Sequence, residues 1–207
     1  MPFYDRKEAG QKLAFAIENC KLKIENSVIL ALPRGGVIIG REIANTLNLP
    51  LDVLIVRKIG YPGNPEFAVG AVGESGRLVL GEEERSVDTD YLKKEVAKEK
   101  EEIKRRLKEY RGERPKPVLK NKIVIIVDDG LATGLSMKAA ISEVRRENPS
   151  KIVVAVPVAP AETIKELKNE ADEIICLETP SPFFAIGNFY TNFAQVSDQE
   201  VKEALEK

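Results

Sequence analysis

The sequence predicts an α/β protein built on an open, doubly wound, mainly parallel five-stranded sheet, and three observations carry that expectation. Short apolar runs alternate with amphipathic stretches of about a dozen residues, the rhythm of strand–helix–strand units whose strands pair in parallel. The run Ile123–Val127 is apolar at every position, so both its faces need cover, as in a central strand with helices above and below. Glycine-bracketed turns follow two of the apolar runs, at Arg34-Gly35-Gly36 and from Gly130 to Gly134, placing them at strand carboxyl ends, where open α/β sheets bind ligands.

Along the chain, Arg6–Asn19 has the spacing of a helix, Ser27–Leu32 of a short strand, and Val37–Leu47 of a second helix. Leu51–Val56 is the next strand, ending in Arg57-Lys58. Ile123–Val127, Ile152–Val156 and Glu173–Leu177 complete the set, separated by helices over 135–147 and 161–169. Between residues 60 and 117 the rhythm is interrupted. Gly60, Pro62, Gly63, Pro65 and Gly70 suit a hinged loop that closes over a ligand. Phe67–Gly73 and Arg77–Leu80, joined through Glu74-Ser75-Gly76, read as a β-hairpin. Leu92, Val96, Ile103, Leu107 and Tyr110 mark one face of a helix over Asp88–Tyr110, with Asp88 or Ser86 as cap and Gly112 as terminator. We read this helix as a solvated cover over a sheet edge in preference to a lid or dimer arm. Ser197 and Glu200 form a capping box for a last helix, which makes Asp198 and Glu200 structural acids.

Composition bounds the function. A chain of 207 residues with an insertion suits a single domain over 1–207. Its 32 basic and 33 acidic residues nearly cancel, so net charge favours neither nucleic acid nor a membrane surface as partner. Cys20 and Cys176 with no histidine leave no zinc cluster, and no uninterrupted apolar stretch approaches membrane-spanning length. The expectation is a cytoplasmic, reduced protein.

The chemistry concentrates at the end of the central strand. Asp128 and Asp129 are adjacent carboxylates, suited to accept hydrogen bonds from a vicinal diol. The glycines that follow, Thr133 and Ser136 surround the free amides of a helix start, a cradle for a phosphate dianion. Pro33-Arg34-Gly35-Gly36 adds a second turn with exposed amides and a guanidinium fork.

An apolar strand, two acids and Gly-Leu-Ala-Thr-Gly together resemble the phosphoribosyl diphosphate (PRPP) motif of type I phosphoribosyltransferases. The resemblance implies PRPP as substrate, with its ribose on Asp128 and Asp129 and its 5′-phosphate on Gly130, Leu131, Ala132, Thr133, Gly134, Leu135 and Ser136. It places pyrophosphate on Pro33, Arg34, Gly35, Gly36, Arg57 and Lys58, with Arg34, Arg57 and Lys58 as the catalytic cations. It further implies Mg2+ held mainly by substrate oxygens, with Asp128 and Asp129 as the protein carboxylates in reach, and a homodimer. Residues 60–117 become a lid insertion and 179–207 a hood, in which Phe183, Phe184, Phe189 or Tyr190 stacks on the acceptor base. The implied reaction is transfer of a phosphoribosyl group to a nitrogen nucleophile with release of pyrophosphate.

One position departs from a subgroup. Hypoxanthine-guanine transferases carry an acid three residues after the second paired acid, and here that residue is Ala132, which leaves the acceptor open among adenine, orotate and other amines or heterocycles. A PRPP-binding regulator of the same fold keeps the same motif. A dinucleotide-binding protein would need G-x-G-x-x-G after its first strand and a P-loop NTPase G-K-[ST]; neither occurs there. A PRPP synthetase would need an ATP site that the sequence does not offer.

Overall fold

Two sheets organise the chain. The computed structural model describes residues 2–20, 24–81 and 87–206; Ser86, one of the two expected caps, lies outside them. The larger sheet is parallel, with β1 (Ser27–Ala31), β2 (Leu51–Val53), β6 (Ile123–Val127), β7 (Lys151–Val158) and β8 (Glu173–Glu178) in the order β2-β1-β6-β7-β8. The smaller is antiparallel and holds β3 (Arg57–Tyr61), β4 (Asn64–Val72) and β5 (Leu78–Leu80) in chain order.

Alternation along the strands covers both faces of the parallel sheet. Val28, Leu30, Val124, Ile126, Ile152, Val154 and Val156 point to one side, against Met137, Ala140, Ile141 and Val144 of α4 (Leu135–Arg145) and Leu167 of α5 (Ala161–Leu167). Ile29, Ile125, Val127, Val153 and Ala155 point to the other. There they meet Ala9, Leu13 and Ile17 of α1 (Arg6–Asn19) and Ile39 and Ile43 of α2 (Gly35–Leu47). This two-sided burial is why Ile123–Val127 lacks polar positions. The register sets Ile125 between Ile29 and Val153, so β6 is central and β1 its neighbour.

The second strand is shorter than the sequence suggested. β1 ends at Ala31, opposite Val53, and beyond that point the chain turns away after a last bond from Leu54 N to Ala31 O. Arg57 and Lys58 therefore open β3 instead of ending β2. The expected hinged loop is a hairpin: Gly60 and Tyr61 pair with β4 through shifted registers, the mark of a bulge, and the turn falls at Pro62-Gly63.

α3 (Thr89–Tyr110) starts at Asp88, whose carboxylate accepts from the amides of Asp90 and Tyr91. Its Ile103 and Tyr110 share an apolar cluster with Ile55, Ile59, Val69 and Val72 and with Val201 and Leu205 of α6 (Asp198–Glu206). The Ser197–Glu200 capping box is present in both directions at the start of α6. No helix among the described residues is long and apolar enough to cross a membrane.

Just past the end of α3, Arg111 ties the insertion to the main sheet. Its guanidinium reaches Asp52 at 2.8 Å and the Val53 carbonyl at 2.8 Å, with Glu74 at 3.5 Å, and the three charged side chains are 9–11% exposed. Removing the cation leaves the buried Asp52 carboxylate without an ion pair, while Glu74 keeps Lys116 at 3.7 Å, so Arg111→Ala is expected to cost about 3 kcal/mol, read as a fall in the urea midpoint.

Candidate functional site

β1 and β6 are hydrogen-bonded side by side, so the turns that follow them emerge together. Ala31 pairs with Val127, and Leu32 N donates to Val127 O at 2.9 Å. The Pro33–Arg34 peptide is cis. After it Gly35 and Gly36 begin α2, with Arg34 just ahead of them. The approach is too close for a side chain: a Cβ on Gly35 would fall 1.9 Å from Asp129 Oδ2.

The turn after β6 has the features of an anion cradle. The Leu131 amide donates to Val158 O at 2.9 Å and the Leu131 side chain is buried, so this residue fastens the loop to β7. The Lys138 amide donates to Gly134 O. Between these two, the amides from Ala132 to Met137 have no protein partner among the described residues, as the first turn of a helix requires. Thr163 Oγ1 donates to Ala132 O at 2.6 Å and holds the loop from α5. Gly134 has φ +73°, a left-handed conformation that favours glycine.

Asp128 lines a cavity of about 370 Å³ together with Leu32, Pro33, Arg57, Lys58 and Ser136. Burial, followed by the charge of Asp129, pushes its carboxyl well above the usual range, while Lys58 opposes the shift. Asp129 does not line this cavity. It accepts a hydrogen bond from Arg6 Nε at 2.8 Å, and Tyr190 Oη donates to its backbone carbonyl at 2.7 Å.

Two of the three candidate cations are held by carboxylates. Arg57 Nε lies 2.6 Å from Glu99, which is 7% exposed on α3, and Arg34 lies 3.6 Å from Asp198 at the start of α6. Lys58 is exposed and has no ion pair among the described residues. Asp198 also accepts from the Tyr110 hydroxyl, whose pKa is pushed up to about 12 by burial and then by that bond. Glu95, Lys98 and Glu99 line the cavity with Arg57, so α3 covers the site as well as the smaller sheet. Arg6, Glu95 and Glu99 escaped the sequence reading because their types and spacing match any solvated helix face.

Residues 3–190 match the family described as Phosphoribosyl transferase domain. The chain belongs to that family. It is 42% identical over 208 residues to the Mycobacterium tuberculosis H37Rv protein named "Putative phosphoribosyl transferase Rv0571c", covering 99% of this chain and 46% of that protein. The chain thus spans about half the length of the curated relatives it matches. Among solved structures it resembles TT1426 of Thermus thermophilus, with 47% identity, a TM-score of 0.83, and 99% and 98% of the two chains covered. AQ2163 of Aquifex aeolicus, 16% identical with a TM-score of 0.52 over 84% and 74% of the two chains, shares the fold.

In this phosphoribosyl transferase domain the C-terminal aromatics take unequal places. Tyr190 is 6% exposed, its ring 5.5 Å from Phe3 and 4.9 Å from Phe193, so both ring faces lie in the protein. Phe183 and Phe189 pack on each other at 4.9 Å and lean on the α1 side of the core. Phe184 is 82% exposed. Of the four, Phe184 is the exposed ring, Phe183 and Phe189 are half-buried, and Tyr190 is buried.

Stability should register both the glycine turn and the Asp198 contact. Gly134→Ala keeps a left-handed φ and brings a methyl 2.9 Å from Thr163 Cγ2, and is expected to cost about 1–2 kcal/mol in chemical denaturation. Asp198 has its carboxyl lowered by the Tyr110 hydroxyl and next by Arg34. Its contribution is therefore present above the unfolded value of about 4 and lost as pH falls through the lower folded value. Asp198→Asn is expected to lose about 1 kcal/mol at neutral pH. Denaturation curves collected down the pH scale should show the two proteins converge in acid.

Proposed function

We propose that the chain transfers a phosphoribosyl group from PRPP to a nitrogen nucleophile and releases pyrophosphate. One observation carries this reading: Asp128 and Ser136, on either side of the unpartnered amide turn after β6, border one cavity with Arg57 and Lys58 of β3, and the turn that carries Arg34 follows the neighbouring strand β1. The family match supports the same chemistry.

Asp128 would accept hydrogen bonds from the ribose hydroxyls, and the amides from Ala132 to Met137 with the Ser136 hydroxyl would donate to the 5′-phosphate. Gly35 and Gly36 would offer amides to the diphosphate from the start of α2. As the C1–O bond breaks, positive charge grows on the ribose and negative charge on the leaving group. Arg34, Arg57 and Lys58 then stabilise what forms, and Asp128 keeps the ribose oriented. Glu99 and Asp198 hold the two guanidinium groups in place before substrate arrives.

Magnesium fits this site as a substrate-borne ion. Among the described residues no cluster of three metal-ligating side chains exists, and Asp128, Glu95 and Glu99 border the cavity beside Arg57, Lys58 and Lys98. Diphosphate and ribose oxygens with water would supply most of its coordination, and the ion would neutralise developing charge on the leaving group. Phe184 is the candidate platform for the acceptor.

Calorimetric titration with Mg-PRPP tests the reading: Asp128→Asn should weaken binding by at least about 2 kcal/mol. Absence of binding by the wild type at millimolar ligand would reject it. Lys58→Ala should lower pyrophosphate release across a panel of bases on the order of 10²-fold, with an unchanged melting temperature. Binding without release for every base would make the protein a PRPP-binding regulator.

A further inference from the structure

The two acids that end β6 sit in different surroundings. Asp128 borders the cavity with Arg57, Lys58 and Ser136, and Asp129 does not. The Asp129 carboxylate turns to the N-terminal helix, where Arg6 Nε donates to it at 2.8 Å and the two side chains are 11% and 14% exposed. Arg6 is itself fixed on two other sides. Its Nη1 donates to Ala194 O at 2.8 Å, and its guanidinium carbon lies 3.9 Å from the centre of the Phe193 ring. The same carboxylate fills the space a side chain on Gly35 would need, within 1.9 Å of that Cβ position. Asp129 is therefore gripped by α1, abuts the first turn of α2, and is backed by Tyr190 on its carbonyl.

We propose that the acid pair divides its work: Asp128 is the acid that faces substrate, and Asp129 is a positioning residue, pinned by Arg6, that sets the Arg34–Gly36 turn against the end of β6. This division rests on the PRPP reading of the cavity and narrows the expectation that both acids hold the ribose. Two adjacent carboxylates in a poorly solvated strand end repel each other, and Arg6 neutralises the one that is further from the cavity. The planar guanidinium suits this place, because it reaches an acid and a carbonyl while lying over an aromatic ring. With Asp129 so held, the contact with Gly35 sets the distance between the end of β6 and the turn that carries Arg34. Any shift of that carboxylate moves the turn that carries Arg34.

Titration of the whole chain with Mg-PRPP and, separately, with magnesium pyrophosphate tests the division. Asp129→Asn and Arg6→Gln should weaken both ligands by a similar factor of about ten, because the diphosphate turn is displaced. The double variant should be no weaker than either single one, since both changes break the same pin. Arg6→Lys keeps the charge and should fall between wild type and Arg6→Gln. Asp128→Asn should weaken PRPP by at least about tenfold more than it weakens pyrophosphate. The division is overturned if Asp129→Asn repeats the Asp128→Asn pattern, losing PRPP selectively, or leaves both affinities unchanged. If Asp129→Asn does not fold, Arg6→Lys decides: equal weakening of both ligands supports the pin, and unchanged affinity for both removes it. A wild type that binds neither ligand overturns the PRPP reading and the division together, a result distinct from any change in the ratio of the two affinities.

Discussion

The parallel pairing of β1 with β6 is the constraint on which the site depends. The sheet order β2-β1-β6-β7-β8 reverses direction between these two strands, so the connection after β1 leaves toward one edge and the connection after β6 toward the other. The crevice that opens at such a reversal is where α/β sheets of this kind receive ligands. Here it brings two turns together with no intervening strand. Both turns lead into helix starts, α2 and α4, so two sets of unpaired amides converge on one place. Closeness also dictates sequence, since Gly35 leaves room for the Asp129 carboxylate.

Charge completes what topology begins. Aspartates at the end of a buried strand are costly unless paired, and the fold answers with Arg6 of α1 on Asp129 and Lys58 of β3 beside Asp128, with Arg57 lining the same cavity. Arg57 and Arg34 are in turn steadied by Glu99 and Asp198, one from each of the helices α3 and α6 that share an apolar cluster with the smaller sheet. Arg111, with Asp52 and Glu74, fastens that assembly to β2. The insertion is thus joined to the parallel sheet by ion pairs as well as by apolar packing.

The parts legible from sequence are those whose residue types are dictated by burial or by backbone geometry. Ile123–Val127 announced a strand covered on both faces, and the heptad-like spacing from Leu92 to Tyr110 gave α3 nearly to the residue. The Asp-Asp-Gly turn and the Pro-Arg-Gly-Gly turn carried their chemistry in their composition, and the structure sets them side by side. What escaped depends on long-range partners. The run Leu51–Val56 looks like one strand, but it ends where β1 stops offering a partner, and the residues beyond it open a different sheet. Tyr190 looked like a stacking platform because it is aromatic and near the site; its depth beneath Asp129 follows from Phe3 and Phe193, which lie far from one another in the chain. Arg6 and Glu99 have no local signature at all, because an arginine or glutamate on a helix reads the same whether it faces water or an aspartate 123 residues away.

Amide hydrogen exchange with and without Mg-PRPP tests the central claim most directly, because it reads the two turns without changing them. Slowed exchange from Ala132 to Met137 and at Gly35 and Gly36 is the result expected of a ligand held by the helix starts of α4 and α2. Protection confined to the separate cleft between α2 and α6, lined by Arg41, Asn45 and Glu203, with no change in either turn, would contradict it.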